Sequence, residues 1–192
     1  VMLVDQPSGF PYLVLKDVME RGYQYHLYST KNEFKKVAEI GPTSTGFYKN
    51  KIKIFIHTVN DEVISINNNT RLPKSYHRFQ GLMEKLFLTK KIESEDEILM
   101  EMKNSSLPQL ISKIKPTQII GLTTQGQKTS LDKLVEQIEE NSCIILGGFQ
   151  KGHFNNETDK IIDKSFSIND SSLEAHLVAS RLAYEYEKTI FI

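Results

Sequence analysis

The segment Thr70–Leu88 reads TRLPKSYHRFQGLMEKLFL, and its two halves differ sharply in character. The first half is basic, with Arg71, Lys74 and Arg78, and Pro73 suits the first turn of a helix. The second half has apolar residues at helical spacing: Leu82, Met83, Leu86 and Phe87. We predict a helix that packs into a core or a subunit interface, with an RNA or phosphate contact at its start. A solvated basic face is the alternative.

Strands are predicted immediately before this helix, and an exposed loop is predicted after it. Lys51–Thr58 alternates until it becomes fully apolar, Val63–Asn67 is a second strand, and Asn60-Asp61 favours a hairpin turn between them. We therefore interpret residues 42–70 as a segment containing a hairpin. Charged residues dominate 89–97, which indicates an exposed loop whose acidic part would repel RNA.

The remaining sequence alternates strands and helices, which is typical of an α/β protein with a parallel sheet covered on both faces. Leu13–Arg21 has helical spacing and is predicted as a helix. Predicted strands and helices then follow in this order: Ile98–Met102 strand, Leu107–Ile114 helix, Gln118–Thr123 strand, Ser130–Glu139 helix, Ser142–Phe149 strand, Ser165–Ile168 strand and Ser171–Tyr186 helix. The last helix is apolar over much of its length, so it is a candidate subunit interface.

Three loops follow predicted strands and carry the candidate chemistry. They are Leu122–Gly126, Gly147–Gly152 and Ile168–Leu173, the last at a predicted helix N-terminus. Glycines just beyond a strand let backbone groups approach a ligand closely, and a helix N-terminus adds donors for an anion. The loop GGFQKG is neither GxGxxG nor GxxxxGK[ST], so a tight turn is its alternative explanation. Together the loops would form a small-molecule pocket at the edge of a sheet.

Composition limits the classes of protein that the chain can belong to. With 192 residues we expect one domain, and because 24 basic residues balance 24 acidic ones, RNA binding requires local patches. The single cysteine, Cys143, lies in an apolar run and is more readily explained as a core residue than as a nucleophile. We expect no metal site, since the five histidines lack ligand spacing, and His57 fits a core position better than a catalytic base. Without a signal peptide or membrane-spanning run, a cytoplasmic protein is expected.

Three motifs resemble those of one family. TRLPKSYHRFQGLMEKLF is similar to a TRLPRNYxRFxGLMEQLF signature, CIILGGFQKG is similar to an IIGGFPxG loop, and FSINDSSLEA is similar to an SIxxxxLxA segment. These are motifs of the ribosomal small-subunit pseudouridine N(1)-methyltransferases of the SPOUT superfamily. The resemblance implies a SPOUT-type α/β sandwich with a C-terminal trefoil knot, S-adenosylmethionine as cofactor and a homodimer. It also implies small-subunit rRNA as substrate, rather than DNA or a membrane, and a role in ribosome biogenesis.

The resemblance also assigns residues to roles. The cofactor contacts would be Leu122, Gly147, Gly152, Ile168, Asn169, Asp170, Ser171, Ser172 and Leu173. Arg71, Lys74 and Arg78 would bind RNA, with a looser contact at Lys74 because the family has arginine there. Arg78 would also stabilise the anion formed when pseudouridine loses its proton.

The resemblance is weaker upstream of residue 51. Asp5 matches the family's first aspartate, whereas Arg21-Gly22 and His26 stand where an RGRPDIxH motif is expected but lack its Pro-Asp. That absence leaves the catalytic carboxylate open. It also permits an alternative function, namely a non-catalytic RNA-binding factor for ribosome assembly that keeps the SPOUT fold.

Overall fold

A computed structural model of the protein describes residues 12–18, 52–67, 69–95, 97–148 and 152–191. The strands are β1 (Tyr12–Val18), β2 (Lys53–Thr58), β3 (Glu62–Ile66), β4 (Lys91–Glu93), β5 (Ile98–Asn104), β6 (Ile119–Lys128), β7 (Cys143–Gly147) and β8 (Lys164–Ser167). The helices are α1 (Tyr76–Thr89), α2 (Leu107–Ile114), α3 (Leu131–Val135), α4 (Asn156–Ile161) and α5 (Ala175–Phe191). None of these described helices is both long and apolar enough to cross a membrane.

The described strands form one eight-stranded sheet in the order β4-β5-β3-β2-β1-β7-β6-β8. The five neighbouring strands β2, β1, β7, β6 and β8 are all parallel. β3 is antiparallel to β2 and β5, and β4 is antiparallel to β5, so the sheet is mixed at one side. We call the side where the five parallel strands end the carboxyl edge, and the side where they begin the amino edge.

Helices cover both faces of the sheet, as predicted for an α/β protein. One core packs α1, α3 and α5 on the first face, with Leu86, Ile120 and Leu134 fully buried. The second core packs α2 and the α4 region on the opposite face, around Phe55 and Ile145.

The prediction of a helix at Leu13–Arg21 is wrong, because Tyr12–Val18 forms β1. β1 lies between β2 and β7 and pairs in parallel with both. The sequence YLVLKDV fits helical spacing and also an apolar buried strand. Partners supplied by distant parts of the chain decide between the two structures.

Several other predicted boundaries also differ. α1 begins at Tyr76 after Ser75, so Pro73 precedes the helix instead of lying in its first turn. Within 89–97, Lys91–Glu93 forms the edge strand β4, in which Ile92 is buried, so that segment is not wholly an exposed loop. The predicted helices at Ser130–Glu139 and Ser171–Tyr186 correspond to the shorter α3 and the later-starting α5, and α4 was not predicted.

The hairpin prediction is confirmed by β2 and β3. They pair antiparallel, and the amide of Asp61 donates to the carbonyl of Thr58 at 3.3 Å across the turn. Asp61 has a φ of 55°, a conformation that aspartate adopts more readily than most residues.

Candidate active site

The three candidate loops leave the sheet side by side at the carboxyl edge. Leu122 on β6 is in register with Leu146 on β7 and with Phe166 on β8. Gly147 on β7 is in register with Lys16 on β1. Because the three loop-bearing strands are neighbours and point the same way, their loops share one end of the sheet. Ligand sites of open α/β sheets lie at this end.

The first loop is not a free loop, because β6 continues through it to Lys128. Both Leu122 and Gln127 are register partners of Phe166, so residues 123–126 bulge out and the chain then returns to β8. A Cβ atom on Gly126 would lie 2.5 Å from the backbone nitrogen of Phe166 and 2.6 Å from the carbonyl carbon of Ser165. Gly126 therefore allows a backbone contact with β8 that no other residue would permit.

The third loop, 168–173, is fixed by its own hydrogen bonds and by one ion pair. The Ser167 hydroxyl donates to the Asn169 carbonyl at 2.9 Å, and Nδ2 of Asn169 donates to the carbonyl and hydroxyl of Ser171, each at 2.9 Å. Lys128 pairs with Asp170, and this hydrogen-bonded contact lowers the pKa of the Asp170 carboxyl. The extension of β6 thus contacts the third loop through this exposed pair.

The position of this loop corrects one expectation. Ser171 and Ser172 are not the N-cap of the last helix, because α5 begins at Ala175. The amides of Leu177 and Val178 donate to the carbonyl of Glu174 at 3.0 and 3.2 Å. The loop therefore ends just before the helix instead of forming its first turn.

The carboxyl edge combines half-buried apolar side chains with exposed polar residues. Ile168 and Leu173 are half-buried apolar side chains, whereas the four residues between them are exposed. Leu122 packs in the core, so only its backbone is available to a ligand. Gly147 is half-buried at the end of β7, and Gly152 has a φ of 109°, which a residue with a side chain rarely adopts.

The basic segment starts at the other edge of the sheet. β3 runs antiparallel to β2 and so ends at the amino edge, where the Thr70 hydroxyl donates to the Leu99 carbonyl at 2.7 Å. At the far end of α1, Lys90 pairs with Glu62, the first residue of β3, towards the carboxyl edge. Because α1 has 14 residues and a helix rises about 1.5 Å per residue, its two ends are roughly 20 Å apart.

The structure therefore separates the cations assigned to RNA from the three loops assigned to the cofactor. Arg71, Lys74 and Arg78 are all exposed, and all three lie at or before the beginning of α1. Within one chain they stand away from the three loops. Asp5, together with the segment from Arg21 to His26, lies outside the described residues.

Two side chains that were interpreted as structural are buried. Cys143 is fully buried in the core, and burial raises its pKa far above that of an exposed thiol. His57 is 3% exposed, and its Nε2 lies 3.1 Å from Oδ1 of Asp61, which agrees with a hydrogen-bonded core histidine. Among the described residues no cluster of His, Cys, Asp and Glu could hold a metal ion.

Sequence reasoning missed the roles of Gly126 and Lys128. A glycine inside a strand commonly marks a close backbone approach, and that signal was present in TTQGQK. Nothing in the sequence pairs Lys128 with Asp170, since the two residues are neighbours only once β6 and β8 have paired.

Comparison with known proteins identifies the family. The sequence model of the EMG1/NEP1 methyltransferase family matches residues 43–187. The ribosomal RNA small subunit methyltransferase Nep1 of Methanothrix thermoacetophila is 33% identical over 140 residues, which cover 73% of this chain and 62% of that protein. Nep1 of Thermoplasma acidophilum is 34% identical over 143 residues, covering 74% of this chain and 63% of that protein. The aligned part thus spans somewhat under two thirds of these relatives.

Solved structures support the same grouping at the level of the fold. Archaeoglobus fulgidus Nep1 bound to S-adenosylhomocysteine superposes with a TM-score of 0.75 at 22% identity, covering 95% of this chain and 99% of that one. The SpoU methyltransferase AviRb of Streptomyces viridochromogenes superposes with a TM-score of 0.53 at 12% identity, covering 98% of this chain and 65% of that one. The fold is thus that of the SPOUT methyltransferases, and the matched sequence shows that this chain belongs to the EMG1/NEP1 methyltransferase family.

Proposed function

We propose that the protein is an S-adenosylmethionine-dependent methyltransferase that modifies N(1) of pseudouridine in small-subunit ribosomal RNA. The observation that carries this proposal is the grouping of the loops after β6, β7 and β8 at one edge of the sheet. Membership of the family and the product-bound Archaeoglobus relative support the same donor. The proposal includes a role in small-subunit biogenesis and a cytoplasmic location.

The chain's own residues would bind and orient the cofactor and would stabilise the anion that forms on the base. When bound, the cofactor supplies an electrophilic methyl group on a sulfonium. Backbone groups of Leu122, Gly147 and Gly152 would hold it, and residues 168–173 would enclose its polar end. An in-line transfer depends chiefly on such positioning. A guanidinium, assigned here to Arg78, would stabilise the anion left when the ring nitrogen loses its proton, and Asp5 is the proposed acceptor of that proton.

The separation of the basic segment from the loops supports a homodimer. Because the Arg78 end of α1 stands away from the carboxyl edge of its own sheet, a second copy is the simplest source of cations beside that edge. α5 offers an apolar contact surface: Leu177 is 39% exposed, Tyr184 is 62% exposed, and seven residues of spacing place both on one side of the helix. We propose that this side of α5 contributes to the dimer interface.

The pairing of β6 with β8 supports the proposed trefoil knot. Phe166 is paired with residues on both sides of the bulge in β6, and Gly126 lies directly on the backbone of β8. We propose that the knot lies in this part of the chain, where β6 extends past its bulge and pairs with β8 a second time.

Cofactor and RNA binding test the function separately. Calorimetry with S-adenosylmethionine should show binding to the wild type and none to Gly147→Val, because a branched side chain would occupy the end of β7 where the cofactor backbone contacts lie. Arg78→Ala is the reciprocal control: it should keep cofactor affinity and weaken RNA binding by about 2 kcal/mol, or roughly thirtyfold.

A methylation assay with a pseudouridine-containing rRNA hairpin completes the test. Methyl transfer to that hairpin, and none to a uridine version, is the expected result. Absence of cofactor binding by the wild type would overturn the proposal. Cofactor-independent RNA binding without methyl transfer would instead favour the ribosome-assembly factor.

A further inference from the structure

The exposed side of α1 carries a second cation that the assigned RNA contacts do not include. Arg78 and Lys85 are both exposed and are separated by seven residues, which is close to two helical turns. They therefore project from nearly the same side of the helix, about 10 Å apart along its axis. Phe79, Met83 and Leu86, which lie about 80–140° around the helix from Arg78, are buried in the core, so the orientation of the helix is fixed.

The surface between the two cations is open. Gly81 lies between them on the exposed side, and apart from its chain neighbours and the backbone of its own helix no atom comes within 4 Å of the position that a Cβ atom would take there. A ligand backbone can therefore approach the helix closely between Arg78 and Lys85. A larger side chain in place of Gly81 would project towards a ligand that lies across the helix.

The charge of this surface is not cancelled locally. Within the described part of the chain, neither Arg78 nor Lys85 forms an ion pair with a carboxylate. The adjacent acid, Glu84, is turned about 100° around the helix from Lys85 and about 60° from Gly81, and its Oε1 accepts a hydrogen bond from Nε2 of Gln80 at 3.0 Å. The side that presents Arg78, Gly81 and Lys85 therefore carries two cations against this one carboxylate, and its net positive charge complements a polyanion.

We propose that Lys85 is a further RNA-contacting residue, and that α1 holds two separate phosphates of the rRNA strand with Arg78 and Lys85. This inference rests on the proposed function, because it takes rRNA as the polyanion. The two side chains leave the helix about 10 Å apart along its axis, so each can reach a phosphate of its own. The family signature quoted above has glutamine at this position, so the contact is a feature of this chain.

The salt dependence of RNA binding provides the test. The logarithm of the affinity of the full chain for an rRNA hairpin is plotted against the logarithm of salt concentration, and the slope reports phosphate contacts. Lys85→Gln should weaken binding about fivefold at 0.1 M salt and lower the slope by about 0.7 to 0.9, whereas Lys85→Arg should leave both unchanged. Lys160→Gln, an exposed lysine on α4 at the opposite face of the sheet, is the matched control and should also have no effect.

The outcomes separate this inference from the proposed function. The double variant with Arg78→Ala should lower the slope by the sum of the single effects, because the two phosphates are distinct. If Arg78→Ala reduces the slope and Lys85→Gln leaves it unchanged, the inference about Lys85 is wrong, whereas the RNA contact proposed for Arg78 is retained. Unchanged slopes in both variants would overturn the proposal that α1 binds RNA. Calorimetry with the cofactor tests the methyltransferase proposal independently of these slopes.

Discussion

Replacing Gly126 by alanine tests how tightly β6 lies on β8. The added methyl group would come 2.5 Å from the backbone nitrogen of Phe166, and 2.6 Å from the carbonyl carbons of both Ser165 and Phe166. Ordinary carbon contacts lie at about 3.5–4.0 Å, so one of the two chains must move by roughly 1 Å. All three contacted atoms are backbone, and Phe166 is 4% exposed, so a side-chain rotation cannot relieve the overlap.

The expected cost follows from this overlap. Overpacking of a core typically lowers the free energy of unfolding by 1–3 kcal/mol. Because the contacted atoms belong to the backbone of β8, we expect Gly126→Ala to lower it by about 3 kcal/mol. For a chain of 192 residues, 1 kcal/mol lowers the melting temperature by about 2–4 °C, so we expect a decrease of roughly 6–12 °C. A displaced β6 would also loosen the Lys128–Asp170 pair beside the third loop, where we propose that the cofactor binds.

Thermal unfolding followed by circular dichroism measures this effect, and Gly81→Ala is its matched control. Gly81 lies within α1 with nothing within 4 Å of its Cβ position, so alanine there should stabilise the protein by about 0.5–1 kcal/mol through helix propensity. Replacing glycine by alanine should therefore raise the melting temperature at position 81 and lower it at position 126. A melting temperature for Gly126→Ala equal to that of the wild type would show that the close contact of β6 with β8 is not present in solution.

Three further predictions concern helix capping, one ion pair and the cysteine. Ser106→Ala should lower the free energy of unfolding by about 1 kcal/mol, because it removes the capping box of α2. Ser75 makes no side-chain cap bond to α1, so Ser75→Ala should lower that free energy by less in the same urea titration. Asp170→Asn should speed proteolysis of the third loop at neutral pH, because it removes the pair with Lys128. Since Lys128 lowers the pKa of Asp170, this difference should persist down to the usual pKa of an aspartate and disappear only as pH falls further, through the lowered pKa. Cys143 should react with a thiol reagent only in urea, because burial raises its pKa and excludes the reagent; rapid reaction of the native protein would contradict its placement.

Local sequence signals predicted those parts of the fold that local interactions determine. α2 was predicted at Leu107–Ile114, where Ser106 and Gln109 form a capping box before an amphipathic turn. The β2–β3 hairpin was predicted for a similar reason, because its turn and both strands lie within one short stretch. The loops after β6, β7 and β8 could also be found, since glycines and polar residues follow apolar runs there.

Features that depend on distant partners could not be predicted in this way. Tyr12–Val18 becomes a strand because β2 and β7 lie on either side of it. Lys91–Glu93 is too short and too charged to be recognised as a strand, yet it pairs with β5 at the end of the sheet. The predicted hairpin fixes β3 antiparallel to β2. The position of Arg71 and Lys74 at the amino edge also requires β2 and β7 to lie parallel to β1, and residue patterns do not encode that long-range pairing. The sequence therefore predicted which residues would form the site more readily than it predicted the edge of the sheet at which each residue lies.

The central place of β1 has a consequence for the order in which the protein is assembled during synthesis. Its two neighbours are far apart in the chain: β2 ends at Thr58, whereas β7 begins at Cys143. At translation rates of about 5–20 residues per second, β1 waits roughly 4–17 s for its second neighbour after the first is complete. During that interval one whole side of an apolar strand is open to nascent-chain chaperones or to misplaced pairing. A mutation that weakens the β1–β2 pair should therefore reduce the yield of newly made protein more than it reduces the stability of molecules already folded.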